Sequence, residues 1–457
     1  MTISGITAFA KSLRGEVVLP GDRSYGKLRR VSNHAVNKYP AIIVRCADGK
    51  DVQLAVEFAR DKGLLTAVRS GGHSFAGHGV CDDGIVIDLS AMKRVQIDPA
   101  HETIRIEPGI TAGELDCLTQ SFRMAVPLGS CPTVGVAGYS LGGGESSLTP
   151  KFGYGCDSIL SLEVVTADGK VLTVRAEENS DMFWAMRGAG ANFGIATSLE
   201  FQLHPIETVL SGSLRYPIRQ ARKVLQFLDD FAPTLPAELF LVAAVLPHPG
   251  ERMLDIKVVW MGEKKRGEQW LRPLRKYLRP FEDTIKPKAY LDEQRGGFDV
   301  PEGEYSSHRR AGHFKRLTDD VVETIIEHAS NAPHEASGVT MMYWHGPWCA
   351  KPHDNAFGFR RTGFEFWIHS YWRKAAGREK SWDWVEEFYR RTALDGRCVR
   401  KRSGERGRSS SPCRLWRQVR TPIADQAEIR PRQLFSRQPK HSSSNLTFTA
   451  CPVRKTT

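Results

Sequence analysis

Apolar and polar positions follow two different rhythms along the 457-residue chain, and the change falls near residue 205. From Tyr39 onward, strand-like and helix-like stretches take turns. PAIIVRC reads as a strand, DVQLAVEFARDKG as a helix stopped at Gly63, and LLTAVRS and GIVIDLS as further strands. RVQIDPAHETIRIEPG and LSLEVVTADGKVLTVRA alternate on both sides of a turn, at Asp98–Glu102 and at Asp168–Gly169. Both are predicted hairpins. Thr111 with Glu114 three residues on predicts a capping box opening the helix TAGELDCLTQSFRM. DMFWAMRG reads as a short helix and FGIATSLEFQLHP as a long strand ending near Pro205.

The texture then shifts. LFLVAAVLP, MLDIKVVWMG, GVTMMYWHG and GFEFWIHSYW read as strands, and RQARKVLQFLDDFA, LTDDVVETIIEHAS and residues 382–392 as amphipathic helices. Many strands and few helices predict an antiparallel sheet covered by helices on one face. The fold class is α+β, with one domain over 1–205, a second over 206–395, and a tail over 396–457. Arg, Ser, Gly and Pro dominate the tail, and neither period persists there.

Charge sharpens this division. The chain carries a net +12. Residues 396–457 hold 15 Lys and Arg against 3 Asp and Glu, while the remaining 395 residues hold 49 of each. A neutral body argues against a nucleic-acid-binding protein, and only the tail offers the basic surface that such a protein needs. No apolar run is long enough for a membrane helix. The first residues lack the apolar core and cleavage site of a signal peptide. Nine scattered cysteines show no metal-ligand spacing, so no metal is expected and reduced thiols in a cytoplasmic protein are. No oligomeric state follows from the sequence.

Two glycine clusters carry the candidate chemistry: RSGGHSFAG, from Arg69 to Gly77, and GSCPTVGVAGYSLGGG, from Gly129 to Gly144. Glycine lets backbone approach a ligand and lets successive N–H groups face phosphate oxygens. Two such loops in one domain suit a pyrophosphate. A third stretch, Gly188 to Gly194, has the wrong spacing for a dinucleotide fingerprint and follows a helix rather than a strand.

With these loops in view, residues 17–205 resemble the FAD-binding domain of the vanillyl-alcohol-oxidase superfamily, in its berberine-bridge-enzyme-like branch of FAD-linked oxidases. The stretches that carry the likeness are PAIIVRCADGKDVQLAVEFARDKGL, AVRSGGHSFAG, VIDLSAM, CPTVGVAGYSLGGG, EVVTADGKVL and DMFWAMRGAGANFGIATSLEF. The resemblance implies a two-subdomain FAD-binding domain of the PCMH type, and FAD bound covalently through His73. In bicovalent members a second bond forms at the position of Cys131. It also implies that Arg69, Ser70, Gly71, Gly72, Ser74 and Gly77 wrap the pyrophosphate through backbone N–H groups. Thr133, Val134, Gly135, Gly138, Gly142, Gly143 and Gly144 line the other side, and Ile195 meets the adenine portion. One departure stands out. The family continues G-G-G-x-G, whereas this chain reads Gly142-Gly143-Gly144-Glu145-Ser146. A serine strains the loop if a positive φ is required, and the Glu145 carboxylate has to face away from a pyrophosphate.

The implied reaction is oxidation of a small-molecule alcohol, sugar or related C–H centre, with dioxygen as final acceptor and hydrogen peroxide as product. A general base has to reach the substrate hydroxyl. Alternation in GFEFWIHSYW puts Glu365, Trp367, His369 and Tyr371 on one face, making Glu365, His369 and Tyr371 the candidate bases. The family also returns a Y-x-N segment to the flavin near its C-terminus, and residues 396–457 do not show it. Back-translation does: QVRTPIADQ followed by Ala427 permits KYERLSRIK when read one base later, and GRCVRK likewise permits GGVYVN. A shift of reading frame just before Gly396 is therefore expected. The alternative is a flavin-binding protein with impaired catalysis.

Overall fold

The computed structural model describes residues 3–248, 250–296, 306–334, 337–350, 354–373 and 375–393. The tail and its proposed change of frame lie outside them. The described residues build three main sheets. The first has the order Glu16–Val18, Ile42–Arg45, Ile85–Asp88, Thr66–Arg69, with the last three strands parallel and the first antiparallel to its neighbour. The helix Gly49–Asp61 crosses over between parallel strands. Asp48 caps it by accepting from the Lys50 and Asp51 amides. The second sheet is antiparallel, in the order Val95–Asp98, Thr103–Ile106, Ile195–Gln202, Ile159–Val165, Val171–Arg175. It contains both predicted hairpins.

Local expectations hold where the chemistry is local. Glu114 accepts hydrogen bonds from the Thr111 amide and hydroxyl, both at 3.0 Å. The helix after it stops at Gln120, short of the expected Met124. Arg123 takes a positive φ of 57°, and Met124–Ala125 instead pairs with His204–Pro205.

The third sheet is the α+β layer expected of the second half. Eight antiparallel strands are built from Thr208–Pro217, Leu239–His248, Glu251–Trp260, Glu282–Asp283, Lys286–Ala289, Ser306–Phe314, Gly338–Trp344 and Gly363–Trp372. Helices Ala221–Phe231, Lys264–Tyr277, Asp319–Ser330 and Arg378–Ala393 cover one face. Phe364, Phe366 and Ile368 point into that helical core. Several elements of this layer were not visible as patterns, among them the short strands Glu282–Asp283 and Lys286–Ala289. Ser306–Phe314 reads SSHRRAGHF, too polar to alternate clearly. Lys264–Tyr277 contains Pro273 and is half charged. Thr208–Pro217 mixes serines and a glycine among its apolar positions.

The opposite face of this sheet packs on the first region. Val242, Met342 and Trp344 meet Ala125 and Leu148 there, and Met342 is the register partner of Glu365. The face that carries Glu365 is therefore covered by the other half of the molecule.

One segment of the second half goes further and enters the first half's core. Phe357 is 2% exposed among Tyr154, Phe183 and Val164. Its neighbour Arg360 is buried against Asp157, with Nη1 donating at 2.9 Å, and Asn355 donates to the same carboxylate at 2.7 Å. Removing one partner of a buried pair leaves an uncompensated charge. Arg360→Leu is expected to cost about 3–5 kcal/mol of folding stability, read from urea unfolding. A change within measurement error contradicts this role.

Candidate active site

Arg69 ends its parallel strand directly opposite Asp88. The two form a buried ion pair at 2.5 Å, and the guanidinium also donates to the carbonyls of Leu28 and Arg30. The side chain is consumed in anchoring, so Arg69 fixes where the first glycine loop begins. Ser70 then donates to the Pro108 carbonyl at 2.5 Å. Beyond it the Gly72 carbonyl accepts from Ser32 at 3.1 Å, and within the loop the Gly77 amide donates to the Ser74 carbonyl at 2.9 Å, so Gly77 does not offer its N–H to a pyrophosphate as expected. Gly72 and Gly77 both take φ of +71°, which favours glycine.

The second loop is tied down the same way. Pro132 and Val134 carbonyls accept from Gly113 and Ala112, at the start of the helix Ala112–Gln120, at 2.9 and 2.8 Å. The two loops then pass at backbone distance. A Cβ on Gly71 would stand 2.3 Å from the Gly135 nitrogen, and one on Gly135 would stand 2.5 Å from the Gly71 nitrogen. No other residue fits either position.

This crossing brings three side chains together. His73 Nε2 lies 2.9 Å from Thr133 Oγ1, and Cys131 Sγ lies 3.6 Å from the same oxygen. An imidazole and a thiol from loops about sixty residues apart in sequence thus share one hydroxyl. All three are partly exposed. Just past the crossing, Gly138 lies in the helix Val136–Leu141 with nothing within 4 Å of the place a Cβ would take. Gly142 is also exposed.

Not every glycine of the second cluster lines this groove. Gly143 and Gly144 are buried, at φ of +122° and +83°, and a Cβ on Gly143 would strike the Phe357 ring at 2.4 Å. Gly143 seats Phe357 and Gly144 packs against Gly155, which corrects the expectation that they line the ligand side. Ile195 is buried in the first sheet's core beside Val165. Its side chain is committed there.

The missing fourth glycine causes no strain. Ser146 is not among the positive-φ positions. Its hydroxyl accepts from the Leu148 amide at 3.1 Å, and its own amide donates to Thr149 Oγ1 at 2.9 Å. Serine therefore closes this turn by side-chain hydrogen bonds. Glu145 points across to the covered sheet face, where it lines a small pocket with His313, Trp344, Phe359, Arg361 and Glu365. Tyr139 stands at the junction: its hydroxyl donates to the Glu145 carbonyl at 2.5 Å. Burial raises its pKa, and Glu145, Glu365 and Cys131 add to the effect.

The three candidate bases differ in setting. Glu365 accepts from the indoles of Trp344 at 2.9 Å and Trp367 at 2.7 Å, a pair that holds the carboxylate at the pocket wall. The pKa of His369 is pushed down to about 3, by burial first and then by Arg309 and Arg252, so the ring stays neutral. Tyr371 is buried and accepts from Arg309 at 2.9 Å. The Arg309 guanidinium also lies over Phe75, 3.6 Å from its centroid. Phe75 belongs to the His73 loop, so that loop touches the sheet directly. Asn33 reinforces the contact by donating to both Phe75 and Ser307 carbonyls. Sequence reasoning did not single out Asn33, Phe75, Tyr139 or Arg309, because their roles arise from contacts distant in sequence.

Comparison with known proteins bears on the groove. Residues 40–175 match the model of an FAD binding domain, a span that contains both glycine loops and their crossing. A relative from Dictyostelium discoideum, an FAD-linked oxidoreductase, is 27% identical over 368 residues, covering 79% of this chain and 80% of its own. Along most of its length the chain is similar to FAD-linked oxidoreductases. The (R)-6-hydroxynicotine oxidase of Paenarthrobacter nicotinovorans is 40% identical over 195 residues, 43% of each chain. Physcomitrella patens BBE-like 1 superposes with a TM-score of 0.78 at 22% identity over 85% of this chain and 88% of that one, which shows a shared fold. This FAD-linked oxidoreductase is an enzyme.

The residues at the crossing suit an FAD. Two backbones are locked together, an open glycine surface lies beside them, and two nucleophiles stand at the rim. Gly138→Ala is expected to keep the folded stability of the parent, because its Cβ meets nothing in the protein. It should weaken FAD binding by about tenfold, roughly 1.4 kcal/mol. Gly135→Ala should lose both stability and flavin. Melting curves and the 450 nm absorbance per protein check the pair; full flavin binding in Gly138→Ala contradicts the assignment.

Proposed function

We propose that this enzyme is an oxidase whose FAD is attached covalently through His73 and Cys131 and which oxidises a small alcohol, sugar or related C–H centre. The observation that carries the proposal is the meeting of His73 and Cys131 on Thr133 at the loop crossing. When bound, FAD supplies a two-electron acceptor that dioxygen can restore, with hydrogen peroxide as the product.

The chain's own part is binding, placement and proton handling. The backbone N–H groups of Ser70, Gly71, Gly72 and Ser74 face the pyrophosphate, with the Gly72 carbonyl turned to Ser32. Gly135, Gly138 and Gly142 give the ligand close approach on the other side. Imidazole and thiol are the side chains able to bond carbon covalently at this site, and each bond fixes the cofactor's place. Substrate enters the pocket between Glu145 and the sheet. Glu365, held by two indoles at the pocket wall, is the proton acceptor within reach of a bound hydroxyl. Tyr371 and the neutral His369 lie further along the same strand, outside this pocket, and Arg309 places a cation on the Tyr371 oxygen. Arg361 and His313 at the rim supply donors for substrate hydroxyls.

Acid precipitation tests the attachment. Yellow colour should remain with the precipitated parent protein, and with His73→Ala and Cys131→Ala separately. The double variant should release its flavin into the supernatant. Release of all flavin from the parent contradicts covalent attachment. Peroxide formation over a panel of sugars, alcohols and 6-hydroxynicotine tests the oxidase activity. Glu365→Gln is expected to lower kcat by about 100-fold or more, the usual range for a general base.

A further inference from the structure

The same three residues carry a consequence of their own. A hydroxyl has one proton to give and lone pairs to accept with. Thr133 is bonded to His73 Nε2 at 2.9 Å and lies within sulfur hydrogen-bond range of Cys131 at 3.6 Å. It can give its proton to only one of them at a time, and the two arrangements are related by moving protons along a single line.

We infer that Thr133 is a proton relay through which the His73 imidazole converts Cys131 to its reactive thiolate. This deepens the reading that Cys131 is a nucleophile of the flavin site, and it rests on that reading for its purpose. With the imidazole proton on Nδ1, the Cys131 S–H bond breaks as its proton passes to Thr133 Oγ1, and the former hydroxyl proton passes to Nε2. Thiol and neutral imidazole become thiolate and imidazolium. Charge is conserved and no electron changes hands. The sulfur needs no direct contact with the ring, which leaves it free to face the groove. The thiolate is the nucleophilic form of cysteine, and a neighbouring imidazolium stabilises it.

The titratable groups facing the pair come from three elements. His73 approaches from the first loop. Tyr139 lies on the helix after the second loop and is itself influenced by Cys131, Glu145 and Glu365. Among these, His73 is the group joined to the sulfur through a shared hydroxyl. Thr133 does not touch the pocket that would take the substrate, so it is a positioning residue.

Alkylation of Cys131 tests the relay in the full chain produced under riboflavin depletion, which keeps the sulfur a thiol. Iodoacetamide rates are followed between pH 6 and pH 10 by peptide mass, which separates Cys131 from the partly exposed Cys117. Thr133→Val should slow alkylation about tenfold at pH 7, equivalent to moving the pH midpoint up by about one unit. Thr133→Ser should restore the parent profile. His73→Gln should give the same loss as Thr133→Val, and the double variant should be no slower than either. All variants should converge near pH 10, where solvent removes the thiol proton unaided. An unchanged profile in Thr133→Val, or losses that multiply in the double variant, overturns the relay. Acid-stable flavin in riboflavin-replete protein reports on attachment separately. The relay can therefore stand where attachment fails, and attachment can stand where the relay fails.

Discussion

Two peptide backbones crossing at Gly71 and Gly135 are the constraint on which the rest of the molecule depends. Each glycine occupies space that a Cβ would take from the other. The crossing in turn depends on anchors laid on either side of it. Arg69 is pinned by Asp88 at the end of a parallel strand. The second loop is pinned by the amides that open the helix Ala112–Gln120. The first anchor lies in the first sheet and the second on a helix packed against the second sheet, so the groove exists only when both layers have formed and met. Flavin chemistry needs positions held to fractions of an ångström, and two locked backbones supply that better than two independent turns.

The substrate side is built by interlock. The eight-stranded sheet presents one face to its helices and the other to the FAD-binding region. Phe75 under Arg309, Asn33 across to Ser307, and the buried Asp157–Arg360 pair each join the two halves. Gly143 serves this interlock, because its missing side chain makes room for Phe357. The pocket between Glu145 and Glu365 lies on this seam, as ligand sites between packed units commonly do. The exchange of Gly for Ser146 fits the same picture. The turn is closed by hydroxyl bonds, which leaves Glu145 aimed at the sheet.

Much of this was legible in the sequence, for physical reasons. Alternation about Asp98–Glu102 and Asp168–Gly169 is set by local burial and turn chemistry, so both hairpins could be read directly. Thr111 and Glu114 announce a cap that needs four residues to form. His73 and Cys131 were singled out through the resemblance of the two glycine loops that carry them, and the backbone crossing of those loops is what brings the two side chains together. The polar strand Ser306–Phe314 was hidden because its arginines and histidines are satisfied by partners on other strands and helices, such as Glu386 and Tyr371. The insertion of residues 354–361 into the other half was hidden too, since no local period encodes a docking site. Arg69 was legible as a site residue, and its ion pair with Asp88 adds a structural role for its side chain that the sequence did not announce.

The central claim is that FAD occupies the groove where the two glycine loops cross. Hydrogen exchange read by mass spectrometry, on the full chain with and without FAD, addresses it most directly. The account predicts slowed exchange in peptides covering residues 69–77 and 129–142 together, since both loops wrap one ligand. Protection confined to one loop, or centred on Gly188–Gly194 with the crossing unchanged, would contradict it.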